Sequence, residues 1–315
     1  MTTAIAIALY NGEKYILEQL DSLRNQTQVV DQVIMCDDGS TDRTREIVAN
    51  YIKENKLEGR WSLICNEKNL GFAQNFYKAL SLCDQELIFL ADQDDLWDLD
   101  KIKKMSNVME TNDGINLLSC EYGVVDANGK AIHSFMERGK KTDGGLNAIE
   151  VLDILRAWSR PGMTMCVRRV FFEQIFPFVG KIAIPHDFAL ALCAADQNSF
   201  FSYNYIGAYH RRHDNNAARE EHRVFKLLDL ERKLKDIKEW IVYMTEVVSS
   251  DIQVSEQAYL LLKEKKSYLE KRYKNLAERK MGGIMELAKK DNWGLYRKVA
   301  ILCDMWIICF GKYDK

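Results

Sequence analysis

The stretch LIFLADQDDLW, from Leu87 to Trp97, decides the predicted fold of this chain. Its first half, Leu87–Ala91, is short and wholly apolar, which is typical of a central strand in a parallel sheet covered on both faces. Asp92, Asp94 and Asp95 follow at once, where such a strand would end. Ligands of open α/β sheets bind at the carboxyl ends of the strands. The stretch therefore predicts a buried strand that leads directly into a polar site.

The acidic cluster after this strand indicates a divalent cation. Crowded carboxylates repel one another, so the cluster destabilises the fold unless a cation or another ligand lies among them. Hard oxygen ligands one residue apart suit Mg²⁺ or Mn²⁺, and such a hydrated ion commonly bridges to substrate phosphates. A solvated acidic turn that caps the next helix is the alternative, and this stretch alone does not separate the two.

The chain before this stretch alternates short apolar runs with helical patterns. We predict strands over Thr3–Leu9, Gln32–Cys36 and Trp61–Cys65, in addition to Leu87–Ala91, with a helix after each of the first three. Strands that alternate with helices of this length form βαβ units with a parallel sheet and right-handed crossovers. This half should therefore be a Rossmann-like nucleotide-binding layer.

A second polar loop, Asp37–Asp42, follows the second predicted strand. In a parallel sheet it would lie at the same edge as the acidic cluster. Asp37 can accept a hydrogen bond from a nucleobase N–H. The structural alternative is an Asx turn, or a cap on the next helix by Ser40 or Thr41. That alternative explains the two adjacent carboxylates, Asp37 and Asp38, less well.

Two stretches farther along the chain concentrate histidine and other polar residues. His186 and Asp187 begin an apolar helix, whose first turn would hold Asp187. The stretch Tyr209–Asn216 is dense in hydrogen-bond donors and metal-capable side chains, and it contains His210 and His213. A single histidine is more often a packed or surface residue than a ligand, but three of the five lie here, which favours a site.

Composition and charge exclude several classes of protein. The 315 residues are 47% hydrophobic and 29% charged, as in an ordinary globular chain with an ample core. Lys and Arg number 44 against 46 Asp and Glu, for a net charge of −2, so no nucleic-acid partner is expected. The eight cysteines include no C-x-x-C pair, which favours reduced thiols over zinc. No signal peptide is predicted, and the expected compartment is the cytoplasm.

The chain after residue 220 changes to long helical patterns rich in Lys, Glu and Leu. Apolar residues from Leu227 to Met244 recur at helical spacing and predict a packing or homodimer face. Residues 221–315 contain 20 Lys and Arg and 15 Asp and Glu, a net charge of +5, which indicates either a solvated face or attraction to an anionic membrane. The last segment, Trp293–Tyr313, falls short of the roughly 20 apolar residues needed to span a bilayer. A peripheral helix on the inner face of the cell membrane and a helix docked on the protein are both open.

Four segments of the N-terminal half resemble the family 2 glycosyltransferases, which have the A-type (GT-A) fold. They are Ala8–Gly12, Cys36–Asp42, Asn69–Gly71 and Ala91–Trp97, and they occur in the right order on the matching elements. The D-Q-D-D-x-W form, with His186-Asp187 and the stretch from Arg211 to Asn216, is most similar to bacterial rhamnosyltransferases. The resemblance covers Thr2 to Asn216. It implies an α/β fold, with a Rossmann-like, mostly parallel sheet followed by a C-terminal α-helical region.

The resemblance implies two domains and assigns roles to single residues. Residues 1–220 would be the catalytic domain, with a nucleotide-sugar half over 1–115 and an acceptor half over 116–220, and residues 221–315 the helical region. Asp37 would bind the nucleobase and Asp187 would be the general base. Asp94, Asp92 and His213 would hold Mg²⁺ or Mn²⁺, with Asp94 the more direct ligand and Asp92 nearer the ribose. The other residues expected to bind substrate are Leu9, Tyr10, Asn11, Asp38, Asn69, Gly71, Gln93, Trp97 and Arg211.

The sequence departs from common relatives in two respects. Asp214 replaces a frequent small residue after His213, which weakens the assignment of that histidine. The Q-x-x-R-W motif of processive synthases is missing, which argues for the addition of a single sugar.

The implied reaction is an inverting, metal-dependent transfer of one sugar from a dTDP- or UDP-linked donor to a saccharide or lipid-linked saccharide, in the synthesis of a cell-surface polysaccharide. The branch resemblance favours dTDP-rhamnose, and UDP-hexoses remain open. A haloacid-dehalogenase-type phosphatase would have its D-x-D on the first strand, and a sugar nucleotidyltransferase would have a Gly-rich phosphate loop there. Neither pattern is present. A GT-A scaffold that has lost activity and acts through its C-terminal helices is the non-enzyme alternative.

Overall fold

The structure, a computed structural model, describes residues 1–132, 142–157, 160–213, 229–289, 295 and 298–310. The chain divides into two compact units. The first consists of Met1–Ile149, Arg160–Lys181 and Pro185–Asp214. The second consists of Glu150–Ser159, Ile182–Ile184 and Asn215–Lys315.

Within the described part of the chain, nine strands form one mixed, mostly parallel sheet in the first unit. In chain order they are β1 (Thr3–Leu9), β2 (Gln32–Asp37), β3 (Trp61–Cys65), β4 (Leu87–Ala91), β5 (Leu96–Trp97), β6 (Leu117–Val125), β7 (Leu146–Ala148), β8 (Met165–Arg168) and β9 (Phe200–Arg211). Their order across the sheet is β3-β2-β1-β4-β8-β6-β9-β5, and β7 also pairs with β9.

The helices of the described residues alternate with these strands and then continue alone. In chain order they are α1 (Ile16–Arg24), α2 (Thr44–Glu54), α3 (Phe72–Ser81), α4 (Lys101–Thr111), α5 (Val151–Arg156), α6 (Arg169–Val179), α7 (His186–Asp196), α8 (Leu230–Ser249), α9 (Glu256–Ala277), α10 (Met281–Leu287) and α11 (Lys298–Phe310). The second unit contains α5 and α8–α11. The predicted alternation of strands and helices is confirmed over the first four strands.

The predicted central strand is confirmed. Every residue of β4 is fully buried, and β4 pairs in parallel with β1, which pairs in parallel with β2. A strand covered on both faces needs apolar side chains at every position rather than at alternate ones, which is what Leu87–Ala91 provides.

The register of these strands brings the two polar loops to one edge of the sheet. Leu9 of β1 lies opposite Asp37 of β2, and Ile7 lies opposite Ala91 of β4. The loops that begin at Asp38 and Asp92 therefore leave the sheet on either side of the end of β1. The expectation that both loops lie at the same carboxyl edge is confirmed.

Strand β9 was not predicted. The polar residues Tyr209–Arg211 end a twelve-residue strand that pairs in parallel with β6 and antiparallel with β5. The sequence FFSYNYI at the start of β9 is rich in aromatic and β-branched residues, which was the available signal. Because β5 follows the acidic cluster directly, the pairing of β5 with β9 brings the histidine stretch to that cluster.

The start of helix α2 differs from the cap considered for the Asp37–Asp42 loop. Helix α2 begins at Thr44, and neither Ser40 nor Thr41 caps it. Asp42 Oδ1 accepts the backbone N–H of Thr44 at 3.0 Å instead, so the cap prediction is wrong.

In the second unit, buried apolar residues and buried charges hold the helices together. Ile237, Met244 and Val247 of α8 are buried, which agrees with a packing face over the predicted stretch, although Leu227 lies outside the described residues. Asp304 of α11 is fully buried, and its carboxylate accepts hydrogen bonds from Arg272 at 2.6 and 2.9 Å. Lys233 Nζ lies 2.9 Å from the same carboxylate. One face of α11 is therefore docked on α8 and α9.

Among the described residues, no helix combines the length and the apolar character needed to cross a bilayer. Residues 293, 294, 296, 297 and 311–313 of the last predicted segment lie outside the described residues.

Candidate active site

The acidic cluster after β4 is bound to the end of β9. Asp95 is buried, and its Oδ1 accepts the backbone N–H of Arg211 at 2.9 Å and lies 3.1 Å from His210 Nδ1. Asp94 Oδ2 lies 2.9 Å from His213 Nε2. The histidine stretch and the D-x-D pair are therefore in direct contact although about 120 residues separate them in the chain.

Burial and repulsion make this cluster electrostatically unfavourable without a counter-charge. Burial, followed by repulsion from Asp95 and Asp94, raises the pKa of the Asp92 carboxyl well above its ordinary value. Burial and Asp95 also raise the pKa of Asp94, although the hydrogen bond to His213 opposes the shift. Burial lowers the pKa of His210, but the hydrogen bond and charge of Asp95 outweigh it and raise that pKa overall. A cation among these groups would relieve the repulsion.

Arg211 joins the acidic loop to α1 and to the turn after β6. Its guanidinium is fully buried. Nε donates to the Asp94 carbonyl at 2.9 Å, Nη2 to Glu18 Oε2 at 2.6 Å and Nη1 to the Ala127 carbonyl at 3.1 Å. All three nitrogens of the guanidinium therefore donate hydrogen bonds within the protein. The sequence predicted that Arg211 contacts the substrate, but its side chain exposes no surface in this structure.

The Tyr15 ring lies close to both His213 and Arg211. Its ring centroid is 4.4 Å from that of His213, with the two rings stacked, and 4.9 Å from the Arg211 guanidinium carbon. The Tyr15 side chain is buried, and its hydroxyl has no hydrogen-bond partner within the described residues. Nothing in the sequence pattern around Tyr15 or Glu18 marked either residue as part of the site.

The loop after β1 is held by two hydrogen bonds to the side chain of Gln93. Gln93 Oε1 accepts the backbone N–H of Tyr10 and Gln93 Nε2 donates to the Tyr10 carbonyl, both at 2.9 Å. This two-way contact holds the exposed Tyr10 and Asn11 beside the acidic loop. Asn11 adopts a positive φ of 49°, which Asn tolerates better than most residues. Leu9 itself is buried, so only its backbone can face a ligand.

Asp37 and Asp38 are both buried and serve different loops. Asp37 accepts hydrogen bonds from the backbone N–H groups of Gly39 and Ser40, from the Ser40 hydroxyl and from Arg45. The positive φ of Gly39, 89°, makes this tight turn possible.

The Asp38 carboxylate holds the loop after β3. It accepts the backbone N–H groups of Leu70 at 2.7 Å and Gly71 at 2.9 Å, while Asn69 Nδ2 donates to the Asp38 carbonyl. Gly71 has a φ of 83° and precedes α3. Asp38, Asn69 and Gly71 thus form one connected loop structure at the sheet edge.

Asp187 lies in the first turn of α7, as predicted, and is half-buried. Its charge contributes to the raised pKa of Asp92, so the two carboxylates share one electrostatic environment. The neighbouring His186 is buried and stacks on Phe76 with ring centroids 3.9 Å apart. Burial lowers the pKa of His186 to about 3, so the ring is neutral and acts as a packed aromatic group.

Trp97 is not at the surface of the site. Its side chain is 4% exposed, and Lys101 Nζ lies 3.3 Å from the ring centroid. The structure therefore places Trp97 in the core. Asp214, Asn215 and Asn216 lie outside the described residues.

The donor groups present fit a hydrated divalent ion. Within the described residues, no three His, Cys, Asp or Glu side chains form a ready-made metal cage. Mg²⁺ and related ions usually bind through one or two carboxylates, water and substrate phosphates rather than through a complete protein cage. The adjacent Asp94 and His213, with Asp92 nearby, match that pattern.

The comparisons with known proteins identify the family. The Glycosyl transferase family 2 model matches residues 4–176, more than half of the chain. The chain therefore belongs to glycosyl transferase family 2.

One curated relative is the UDP-Glc:alpha-D-GlcNAc-diphosphoundecaprenol beta-1,3-glucosyltransferase WfaP of Escherichia coli. It is 34% identical over 110 residues, which cover 34% of this chain and 41% of that protein. The alignments span less than two thirds of the length of the curated relatives that the chain matches.

Solved structures support the fold. S. aureus TarS 1–349 in complex with UDP-GlcNAc aligns with a TM-score of 0.62 at 16% identity and covers all of this chain and 93% of that chain. The mannosyltransferase PcManGT from Pyrobaculum calidifontis, in complex with GDP-Man and Mn²⁺, aligns with a TM-score of 0.56 at 13% identity and covers 99% and 88%. At these identities the likeness shows the fold, which is of GT-A type followed by the C-terminal helices α8–α11.

Proposed function

We propose that this protein is an inverting, metal-dependent glycosyltransferase that moves one sugar from a nucleoside-diphosphate sugar to a saccharide or lipid-linked saccharide. The observation that carries the proposal is the single sheet edge that collects Asp92, Asp94 and His213, with the Asp187 carboxylate in the same electrostatic environment. Family membership supports the reaction class.

The metal-binding role belongs to Asp94, Asp92 and His213 in this proposal. A bound Mg²⁺ or Mn²⁺ would act there as a Lewis acid that offsets the negative charge of the diphosphate. PcManGT, a structural relative, binds Mn²⁺ with its nucleotide sugar, which supports the choice of ion.

Asp187 is the proposed general base. The acceptor hydroxyl gives its proton to the Asp187 carboxylate as its oxygen bonds to the anomeric carbon. The bond from that carbon to the diphosphate oxygen breaks on the opposite side, so the configuration inverts and the nucleoside diphosphate leaves with the bonding electrons. One Asp187 oxygen accepts the Phe188 backbone N–H at 2.8 Å, which fixes the carboxylate at the helix start.

The donor pocket in this proposal combines direct contacts with supporting residues. Tyr10 and Asn11, which are exposed, and Asn69 and Gly71 at the loop after β3 line the nucleotide. Asp37 contacts the nucleobase once the exposed Arg45 side chain gives up its ion pair with the buried Asp37 carboxylate.

The expected binders whose side chains are engaged within the protein act indirectly instead. Asp38, Gln93, Trp97 and Arg211 hold the loops that carry the binding groups, because their polar atoms or rings are engaged within the protein.

The donor sugar is proposed from two sources. The sequence motifs favour dTDP-rhamnose, whereas the relatives WfaP and TarS are named with UDP-Glc and UDP-GlcNAc, which favours a uridine nucleotide. The lipid-linked acceptor named for WfaP supports an acceptor of that class and a role in cell-surface glycan synthesis.

The test compares two matched variants. Nucleotide sugars are first screened with Mn²⁺ for thermal stabilisation, because a ligand that binds only the folded state at 100 times its Kd stabilises by about 2.7 kcal/mol. Asp94→Ala should abolish the Mn²⁺-dependent stabilisation. Asp187→Asn should retain it and lose roughly 10²- to 10⁴-fold in kcat for the best donor.

The outcomes separate the proposal from its rival. Normal turnover in Asp187→Asn would assign the base to another residue, and undiminished metal-dependent binding in Asp94→Ala would move the metal elsewhere. A wild-type protein that neither binds nor hydrolyses any donor, with or without EDTA, would favour the inactive scaffold.

A further inference from the structure

The last helix, α11, has two apolar faces, and only one of them is used within the second unit. Ile301, Asp304 and Ile307 are buried, and Asp304 is held by Arg272 and Lys233. The residues of the opposite face follow at spacings of three, four and four positions, which keeps them on one side of a helix. They are Val299, Leu302, Trp306 and Phe310, which are 65%, 63%, 42% and 67% exposed.

This outer face of α11, defined by Val299, Leu302, Trp306 and Phe310, is unusual for a soluble surface. Single exposed apolar residues are ordinary, but a contiguous exposed stripe that contains Trp and Phe marks an interaction site. The one acidic residue of α11, Asp304, is on the buried side. The outer face thus presents no negative charge of its own helix.

The charge around the helix favours an anionic partner. Residues 289–315 contain six Lys and Arg against three Asp, one of which is the buried Asp304, for a net charge of +3. Lys298 is the first residue of α11 and is exposed, and the exposed Lys289 follows the end of α10. Basic residues beside an apolar helical face are attracted to anionic lipids and are repelled by a second copy of the same surface.

The size of the face also argues against a second copy. A stable protein interface commonly involves 20–30 residues on each side, whereas the outer face offers four side chains on one helix. Insertion of a few apolar side chains at the headgroup level needs no larger surface, and a Trp ring is well suited to that depth.

We propose that the outer face of α11 docks this protein onto an anionic membrane surface, with the helix lying in the plane of the interface. The buried contacts of Asp304 hold the helix on the second unit while the four outer side chains enter the lipid. This inference is independent of the proposed transfer reaction, because it rests on α11 alone. A lipid-linked acceptor would lie in the same kind of surface.

The experiment measures co-sedimentation of the full chain with vesicles of phosphatidylcholine alone and of an equimolar mixture with phosphatidylglycerol. We expect binding to the anionic vesicles that weakens as salt rises, and little binding to the neutral ones. The double variant Leu302→Gln/Trp306→Gln should lower the partition coefficient at least about tenfold, and the exposed Lys298→Glu should lower it at low salt.

A matched control removes an exposed apolar side chain elsewhere in the second unit. Leu260 on α9 is 53% exposed, and Leu260→Gln should bind vesicles as the wild type does. Thermal stabilisation by donor and Mn²⁺, measured on the same samples, reports on the proposed catalytic site separately. We expect the double variant to lose vesicle binding and to keep donor binding. If the wild type binds vesicles but no donor, the result counts against the proposed function and not against the membrane assignment.

Three results would overturn the membrane assignment. The first is that the wild-type protein does not co-sediment with anionic vesicles. The second is that the double variant binds them as strongly as the wild type does. Alternatively, sedimentation velocity could reveal a dimer that the double variant loses, which would assign the outer face to a second copy of the chain.

Discussion

Tyr15 illustrates how a residue with no catalytic chemistry can position the histidine that we propose as a metal ligand. Its ring is stacked against His213 and also lies near the Arg211 guanidinium, and Arg211 donates a hydrogen bond to the Asp94 carbonyl. The ring therefore restricts the position of His213 relative to Asp94. A restricted ligand loses less entropy when a metal binds.

We expect Tyr15→Leu to weaken Mn²⁺ binding by about three- to tenfold, because aromatic stacking of this kind contributes roughly 0.5–1.5 kcal/mol. Tyr15→Phe is the control, since it keeps the ring and removes only a hydroxyl that has no partner in the described residues. Free Mn²⁺ can be titrated by electron paramagnetic resonance in the presence of the preferred nucleotide. Equal affinities for the Leu and Phe variants would show that the ring does not position His213.

The buried amine of Lys101 should make the stability of the fold depend on pH. Its Nζ donates to the Met163 carbonyl at 2.5 Å, and burial lowers the pKa of the side chain to about 8. The unfolded chain, with a Lys pKa near 10.4, therefore binds more protons between these two values. Stability from this group rises as the pH increases from about 8 to about 10.5, and the full penalty applies below 8.

The measurement compares the wild type with Lys101→Met in chemical unfolding from pH 7 to 10.5. Relative to the variant, the wild type should gain stability on the order of 3 kcal/mol across this range. The comparison is needed because burial raises the pKa of several thiols, including Cys83 and Cys166, which changes stability with pH in the opposite direction. A constant difference between the two proteins would show that Lys101 keeps an ordinary pKa in the fold.

Among the secondary-structure elements, the predictable ones are those whose burial can be inferred from a short run of apolar residues. β1 to β4 were found because each is a short apolar run, and the D-x-D loop was found because it follows one of them directly. β9 was missed, because its buried and half-buried residues alternate through Ser, Asn and Tyr, and only the partner strands decide which of them are buried.

The same limit applies to the side chains of the site. Trp97 and Arg211 belong to motifs that suggested substrate contact, but the structure buries both. Arg211 is paired with Glu18, 193 positions away in the chain. Contacts of this separation depend on strand order, and no local pattern in the sequence specifies them.

The short 3₁₀ turn Gly162–Thr164 packs closely against His186, the first residue of α7. A Cβ on Gly162 would lie 2.7 Å from His186 Nε2, so Gly162→Ala must displace the His186 ring. Overpacking of this kind destabilises by about 1–3 kcal/mol. Because His186 is the residue before Asp187, we expect a lower kcat with an unchanged Kd for the donor.

Smaller residues at position 186 provide the control for that prediction. His186→Ser removes the ring that the new methyl group meets, so Gly162→Ala should be less harmful in the His186→Ser background than in the wild type. A double-mutant cycle on kcat measures this coupling. Additive effects would mean that Gly162 and Asp187 are not linked through His186.

For the whole molecule, the second unit depends on a charge buried among its helices. Asp304 is fully buried and binds Arg272 and Lys233, so three helices, α8, α9 and α11, meet at one carboxylate. Removal of one partner from a buried ion pair commonly costs 3–5 kcal/mol, because the remaining charges are left in a poorly solvated position. Asp304→Asn keeps the size of the side chain and removes its charge.

We expect Asp304→Asn to increase hydrogen exchange in α8, α9 and α11 while exchange in β1 and β4 of the first unit stays at the wild-type rate. Mass spectrometry of exchanged peptides resolves these segments. Asp314→Asn is a matched control that changes the same residue type near the C-terminus.

Because α11 would no longer be held on α8 and α9, Asp304→Asn should also lose binding to anionic vesicles while donor binding persists. Faster exchange in β1 and β4 as well would mean that the two compact units unfold together, and that the carboxylate of Asp304 stabilises the entire chain rather than its helical part.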